Sequence, residues 1–242
     1  ALMQWLRSLI FVVQMYVMMA VLAIYFTPWA IVDRRGAYAG VRTYCRYVRW
    51  SARWMVGLSS EFRGEVPEGE VLIASKHQSF FDIIILVSEL QRPKFIMKSS
   101  LKFAPILGYY AIRMGCVPVD RGKRSEAIRQ MKKGVADGSQ LPGQLIIYPQ
   151  GTRVAPGVKT GYKVGTAILY DELGQDCVPA ATNVGVFWPR TGILRKPGHA
   201  VVEALSRVEP GMPKEAFLEK IEQDIEAASD ALLTEAGFRA AP

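Results

Sequence analysis

The sequence predicts an α/β fold: a mostly parallel central sheet flanked by helices, preceded by an N-terminal membrane-associated two-helix motif. Three observations predict it. The run from Ser8 to Val32 holds no charged residue. A segment follows in which Arg42, Arg46, Arg49 and Arg53 recur at helical spacing. From about Glu61 onward, short apolar runs alternate with amphipathic segments.

An all-helical run from Ser8 to Val32 would reach roughly 37 Å at the α-helical rise. That is enough to cross a hydrocarbon core about 30 Å thick. Pro28 is expected to kink or end this helix, because its ring clashes with the preceding turn. The run is too long for the apolar part of a signal peptide and shows no small-residue cleavage site. A second helix is expected from about Ala37 to Leu58. Its four arginines form one stripe, and Tyr47, Trp50 and Trp54 are placed to sit near lipid headgroups. The stripe reads as an interfacial helix, with a plain solvated face as the alternative. Because the basic excess follows the apolar run, the rest of the chain is expected on the cytoplasmic side of the membrane. The division is a two-helix membrane motif over 1–60 and an α/β domain over 61–242.

Within the second part, strands are expected near 71–75, 94–98, 116–119, 144–148 and 178–182, with further strands near 184–188 and 199–205. Helices are expected near 80–90, 105–113, 124–137, 160–172 and 214–236. This alternation is that of strand–helix–strand units, which bind ligands in the loops beyond the strand carboxyl ends. The last helix carries Phe217, Leu218, Ile221, Ile225 and Leu232 at helical spacing and is expected to pack on the sheet.

Composition narrows the chemistry. The chain has 242 residues, half of them hydrophobic, and a net charge of +8. Residues 1–60 carry +6 and residues 203–242 carry −5. A basic, aromatic-rich segment beside an apolar run points to anionic membrane lipids. No nucleic-acid motif accompanies the charge, so nucleic acid is not an expected partner. Three cysteines without a Cys-x-x-Cys pair fit a reducing compartment. Two histidines, His77 and His199, are too few for a zinc site, and no metal is expected. His199 reads as structural.

The residues after the first expected strand are Lys76-His77-Gln78-Ser79-Phe80-Phe81-Asp82. Ser79 followed three residues later by Asp82 has the layout of a helix capping box. His77 then lies just outside the helix, free to fold back on the Asp82 carboxylate. Asp82 would hold one ring nitrogen and leave the other to take a proton. The plainer alternative is that Asp82 only serves the helix N-terminus. Two further strands end in Asp120-Arg121-Gly122-Lys123-Arg124 and in Pro149-Gln150-Gly151-Thr152-Arg153. Glycine lets backbone N–H groups approach an anion, and arginine grips two oxygens at once. Lys98 at the end of a third strand adds another cation. Neither a Walker loop nor a Gly-x-Ser-x-Gly elbow is present.

Together these residues resemble the glycerolipid acyltransferases, most closely the bacterial 1-acyl-sn-glycerol-3-phosphate acyltransferases. His77 to Asp82 is similar to the family's catalytic His-x4-Asp motif. The block Val117 to Arg124 resembles its second motif, in which Arg121 would bind glycerol phosphate. Tyr148-Pro149-Gln150-Gly151-Thr152-Arg153 resembles the third, usually Phe-Pro-Glu-Gly-Thr-Arg. Val178 to Asn183 resembles the fourth, apolar and proline-bearing. Lys98 matches a family lysine associated with substrate phosphate. The departure is Gln150 where the family has Glu.

The resemblance implies an enzyme that moves a fatty acyl group from acyl-CoA or acyl carrier protein to the sn-2 hydroxyl of lysophosphatidate. No cofactor is implied beyond that co-substrate. His77 would act as base and Asp82 as its orienter. Lys98, Arg121 and Arg153 would hold the acceptor phosphate, with Gln150, Gly151 and Thr152 forming the acceptor-site loop. Backbone N–H groups near Gly151 are expected to face the oxyanion. Gln150 keeps other lysolipid acceptors open, a lyso-aminolipid among them. A non-catalytic protein that binds anionic lipid is the remaining alternative.

Overall fold

The computed structural model describes residues 2–119, 124–136 and 140–238. The helices are α1 (Leu2–Val32), α2 (Arg34–Val56), α3 (Phe80–Glu89), α4 (Leu107–Arg113), α5 (Arg124–Ala136), α6 (Gly165–Leu173) and α7 (Lys214–Glu235). The strands are β1 (Leu58–Arg63), β2 (Val71–Ser75), β3 (Pro93–Lys98), β4 (Val117–Val119), β5 (Gln144–Ile147), β6 (Cys177–Thr182) and β7 (Gly198–Ala204). They form one sheet in the order β1-β7-β6-β2-β5-β3-β4. All neighbouring pairs are parallel except β6 with β7.

The central strands are buried on both faces, which explains their continuous apolar runs. Val71, Ile73 and Ile146 point to a core shared with α2 and α3. Leu72, Ala74, Leu145 and Ile147 point to the opposite core, with Ile128 and Met131 of α5, residues of α6, and Phe217, Ile221 and Ile225 of α7. This is a three-layer α/β fold. α1 lies outside α2 as a further helix, and a cluster of Ala23, Ala30, Ala37, Tyr38 and Tyr110 joins α1 and α2 to α4.

The two N-terminal helices form a tight hairpin. A single residue, Asp33, separates them, and its carboxylate caps α2 by accepting from the Arg35 N–H at 2.9 Å. Gly36 makes the close approach possible. A Cβ there would lie 2.7 Å from the Trp29 and Ala30 backbone.

Several expectations need correction. α1 does not end at Pro28 but runs on to Val32. Near the proline the Thr27 hydroxyl and the Tyr110 hydroxyl both donate to the Ala23 carbonyl, and packing against α2 and α4 holds the last turns. α2 stops at Val56, because Gly57 takes the left-handed conformation at φ 74°. The next residues form β1, an unforeseen edge strand paired with β7. Residues 184–188 are not a strand. The Thr182 hydroxyl accepts from the Val184 N–H at 3.2 Å, and Asn183 Oδ1 accepts from the Val201 N–H at 2.8 Å. The chain therefore turns into a 3₁₀ turn at Val184–Val186. α6 begins at Gly165, not near 160, since the Lys163 N–H is taken by the Pro149 carbonyl at 2.9 Å.

The arginine stripe also divides. Arg42 donates to the Leu90 and Gln91 carbonyls at the end of α3. Arg49 binds Ser60, Ser88 and Glu89. These two cations satisfy the carboxyl end of α3, where cations belong. Only Arg46 and Arg53 of the stripe are exposed, beside exposed Trp50 and Trp54.

Candidate active site

β2 ends in Ser75, and the next residues leave the sheet at its carboxyl edge. The Lys76 N–H still bonds the Ala180 carbonyl of β6 at 2.9 Å. Its ammonium turns inward to Glu226 of α7, 2.6 Å from both carboxylate oxygens, and the Tyr162 hydroxyl donates to the same group at 3.0 Å. This buried network ties α7 to the residue directly before His77.

Ser79 then caps α3 in a reciprocal capping box with Asp82. Oδ2 of Asp82 accepts from the Gln78 and Ser79 N–H groups at 2.9 and 2.8 Å. Oδ1 lies 2.9 Å from Nδ1 of His77. A fully buried carboxylate with two backbone donors accepts its third bond from Nδ1–H. Nε2 of His77 then carries the lone pair. The histidine side chain is 13% exposed, so the imidazole is held from behind and open at one edge.

The imidazole is also held from the side. Tyr148, at the end of β5, stacks on it with ring centroids 4.0 Å apart and an interplanar angle of 18°. The Tyr148 hydroxyl is buried without a hydrogen-bond partner, and burial, with the nearby Asp82 charge, pushes its pKa well above the ordinary value. A second stack, Phe81 on Trp188 at 4.9 Å, braces α3 one residue before Asp82. Trp188 meets Phe11 of α1 edge-on at 5.6 Å. None of these ring contacts was visible in the sequence, since each joins segments far apart along it.

The loop after β5 folds back over the histidine. The Val154 N–H donates to the His77 carbonyl at 2.8 Å, which brings the neighbouring Arg153 to the histidine loop. Gly151 has φ 69°, a conformation glycine adopts without cost. Its N–H donates to the Tyr148 carbonyl at 2.9 Å, so this group does not face an oxyanion as expected. Thr152 is exposed at the loop tip. Gln150 is buried. Its amide donates to the Thr160 hydroxyl at 3.0 Å, while its Oε1 has no partner.

Cations gather at this edge. Lys98 ends β3 and is exposed, at the same carboxyl edge of the parallel strands as His77. Arg121 lies outside the described residues. Two cations that the sequence reading missed stand at the loop after β5. Lys163 places its ammonium against Gly151, 2.6 Å from where a Cβ would sit. Arg190 and Arg153 each donate to the other's carbonyl, at 3.3 and 3.2 Å. These reciprocal bonds tie the Arg190 segment to the loop after β5. The Tyr148–Lys163 segment was marked by its Gly-Thr-Arg pattern, whereas nothing local marked Arg190. Among the described residues no three His, Cys, Asp or Glu side chains converge as metal ligands.

Residues 59–183 match the family model described as Acyltransferase. That stretch contains all but the first residue of β1, the strands β2 to β6 and both halves of the His77–Asp82 pair. The chain is 28% identical over 160 residues to the 1-acyl-sn-glycerol-3-phosphate acyltransferase of Pseudomonas aeruginosa, a match covering 65% of this chain and 62% of that protein. It is 29% identical over 90 residues to the lyso-ornithine lipid O-acyltransferase of Brucella abortus, covering 37% of this chain and 33% of that one. The chain thus spans less than two thirds of these relatives. The crystal structure of the 1-acyl-sn-glycerophosphate (LPA) acyltransferase PlsC from Thermotoga maritima superposes with a TM-score of 0.77 at 17% identity, covering 95% of this chain and 99% of that one. The two share a fold.

Proposed function

Because the chain belongs to the acyltransferase family, we propose that it transfers a fatty acyl group from acyl-CoA or acyl carrier protein to the sn-2 hydroxyl of 1-acyl-sn-glycerol-3-phosphate. The observation that carries this reading is the His77–Asp82 pair: a histidine held through Nδ1 by a buried carboxylate, with Nε2 left as base. It has the base and orienter of a catalytic triad without a serine, so the acceptor hydroxyl itself is the nucleophile.

His77 Nε2 takes the hydroxyl proton as the oxygen attacks the thioester carbonyl. Asp82 stabilises the imidazolium that forms, and the Tyr148 ring face supports it by cation–π attraction. The tetrahedral intermediate collapses, the C–S bond breaks, and the imidazolium returns its proton to the leaving thiolate. General acid–base help of this kind is worth about 10²–10⁴-fold. Lys98, Arg121 and Arg153 fix the acceptor phosphate and so the distance from hydroxyl to Nε2. The exposed apolar face of α1 supports a membrane location, and the basic residues after α1 favour the cytoplasmic side for the catalytic part.

A second reading has one observation in its favour. The buried Gln150 carries no charge where a Glu is usual, and it is spent on Thr160. An acceptor whose headgroup differs from phosphate, such as a lyso-aminolipid, remains chemically compatible. The test is thiol release from acyl-CoA and from acyl carrier protein, with a panel of lysolipid acceptors. Release dependent on lysophosphatidate and lost in His77→Ala supports the first reading. Release with a phosphate-free acceptor alone supports the second. Full turnover in folded His77→Ala removes the histidine from the mechanism.

A further inference from the structure

We propose that Ser99–Ile112, in the connection from β3 to β4 that includes α4, is a second membrane-contact element that seats in the headgroup region of an anionic bilayer beside α1. The proposal rests on the membrane reading of α1 and extends it to the catalytic sheet.

The first observation is exposure. Phe103 is 78% exposed and Leu107 54%, and Leu101, Tyr109 and Ile112 also face outward. Side chains this large, exposed together on a short connection between two strands, are of the kind that marks an interaction surface. The backbone is built to hold them there. Ile106 has φ 61°, the only positive value among the described non-glycine residues, and the Leu107 N–H closes onto the Pro105 carbonyl at 2.6 Å. A β-branched residue in this conformation is strained and persists only where its surroundings enforce it. Gly108 permits the tight fold-back, because a Cβ there would lie 2.3 Å from the Lys102 carbonyl oxygen.

The second observation is continuity. α4 is fastened to the carboxyl half of α1. The Tyr110 and Thr27 hydroxyls lie 3.1 Å apart, and Arg113 donates to the Ala30 and Ile31 carbonyls at 2.8 and 3.2 Å. The outward side of α4 therefore adjoins the part of α1 where Ile24 is 78% and Tyr25 75% exposed.

The third observation is charge. From Lys94 to Val119 the chain has no acidic residue, and Lys98 and Lys102 are exposed. Lys102 stands over the Phe103 ring, 4.9 Å from its centroid. Aromatic groups paired with lysine suit the interface between acyl chains and anionic headgroups. A carrier protein or a second copy presenting acids could meet the lysines but has no reason to be continuous with α1. The segment also starts at Lys98, on the sheet edge that carries His77. A bilayer seated here would meet the protein where a lipid acceptor must enter.

The test uses the full chain in phosphatidylglycerol-containing vesicles. Single variants Phe103→Cys, Ile24→Cys and Lys220→Cys carry an environment-sensitive fluorophore. The native Cys45, Cys116 and Cys177 are buried and leave the introduced thiol to react. Lipids bearing a shallow nitroxide are expected to quench emission at 103 as strongly as at 24, and to leave 220 unaffected. Quenching at 24 but not at 103 overturns the proposal and leaves the membrane reading of α1 intact. Protection of 103 from aqueous iodide without nitroxide quenching assigns the patch to a protein partner and also overturns it. An unquenched signal at both 24 and 103 overturns this proposal together with the reading on which it rests.

Discussion

Asp82→Asn separates the orienting role of the carboxylate from its role in the fold. Asn has nearly the same shape but one acceptor oxygen and one donor amide. Two backbone N–H groups, those of Gln78 and Ser79, point at the position of Oδ2. Only the amide oxygen can sit there, because the NH₂ group would face two donors. The NH₂ is thereby forced toward His77 and donates to Nδ1. The imidazole must then carry its proton on Nε2, and the base is lost. Exchange of the same kind in a serine-protease triad costs about 10⁴ in kcat, and a loss of roughly 10³–10⁴ is expected here. Folding should suffer less, since both backbone bonds survive; the loss of charge assistance at a buried cap is worth about 1–2 kcal/mol. The assay is thiol release from the acyl donor at saturating lysolipid, beside a thermal melt of the same preparation. A folded Asp82→Asn protein within tenfold of the parent rate would refute the assignment of Nε2 as base.

Three other outcomes follow from the structure. Glu226→Ala strands the buried Lys76 ammonium and the Tyr162 hydroxyl; it is expected to cost about 3–5 kcal/mol, or roughly 10 °C in a melt, while Lys76→Met with Glu226→Leu recovers most of the loss. Tyr148→Phe removes a hydroxyl that is buried without a partner, so stability should hold or rise by about 1 kcal/mol with activity kept; a fall in melting temperature would reveal a bond the hydroxyl makes. Gly151→Ala and Gly174→Ala both put a Cβ on a left-handed backbone, at φ 69° and 61°, and each should cost about 1 kcal/mol. A Cβ at 174 meets nothing within 4 Å and one at 151 meets the end of Lys163 first, so a much larger loss at 151 would mean that the lysine cannot yield.

The readable parts of the chain were those whose physics is local. The histidine and aspartate stand five residues apart across a helix start, and Ser79 with Asp82 spells out the cap that brings them together. The central strands β2, β5 and β6 are legible because a strand buried on both faces is apolar throughout. β1 was missed for the opposite reason. Its residues are mostly half-buried, and its partner β7 lies far along the chain. Arg42 and Arg49 look identical in sequence to Arg46 and Arg53, yet the first pair caps a neighbouring helix and the second faces outward.

The chain alone therefore determined the layer order of the fold, the apolar N-terminal helix and the histidine–carboxylate unit, because periodicity, length and capping act over a few residues. Tertiary structure decided which cations stand free at the sheet edge, that Tyr148 lies flat against the imidazole, and that Lys76 is spent on Glu226. Those outcomes depend on which distant segments the packed layers bring within a few ångströms, and no short stretch of sequence encodes that distance.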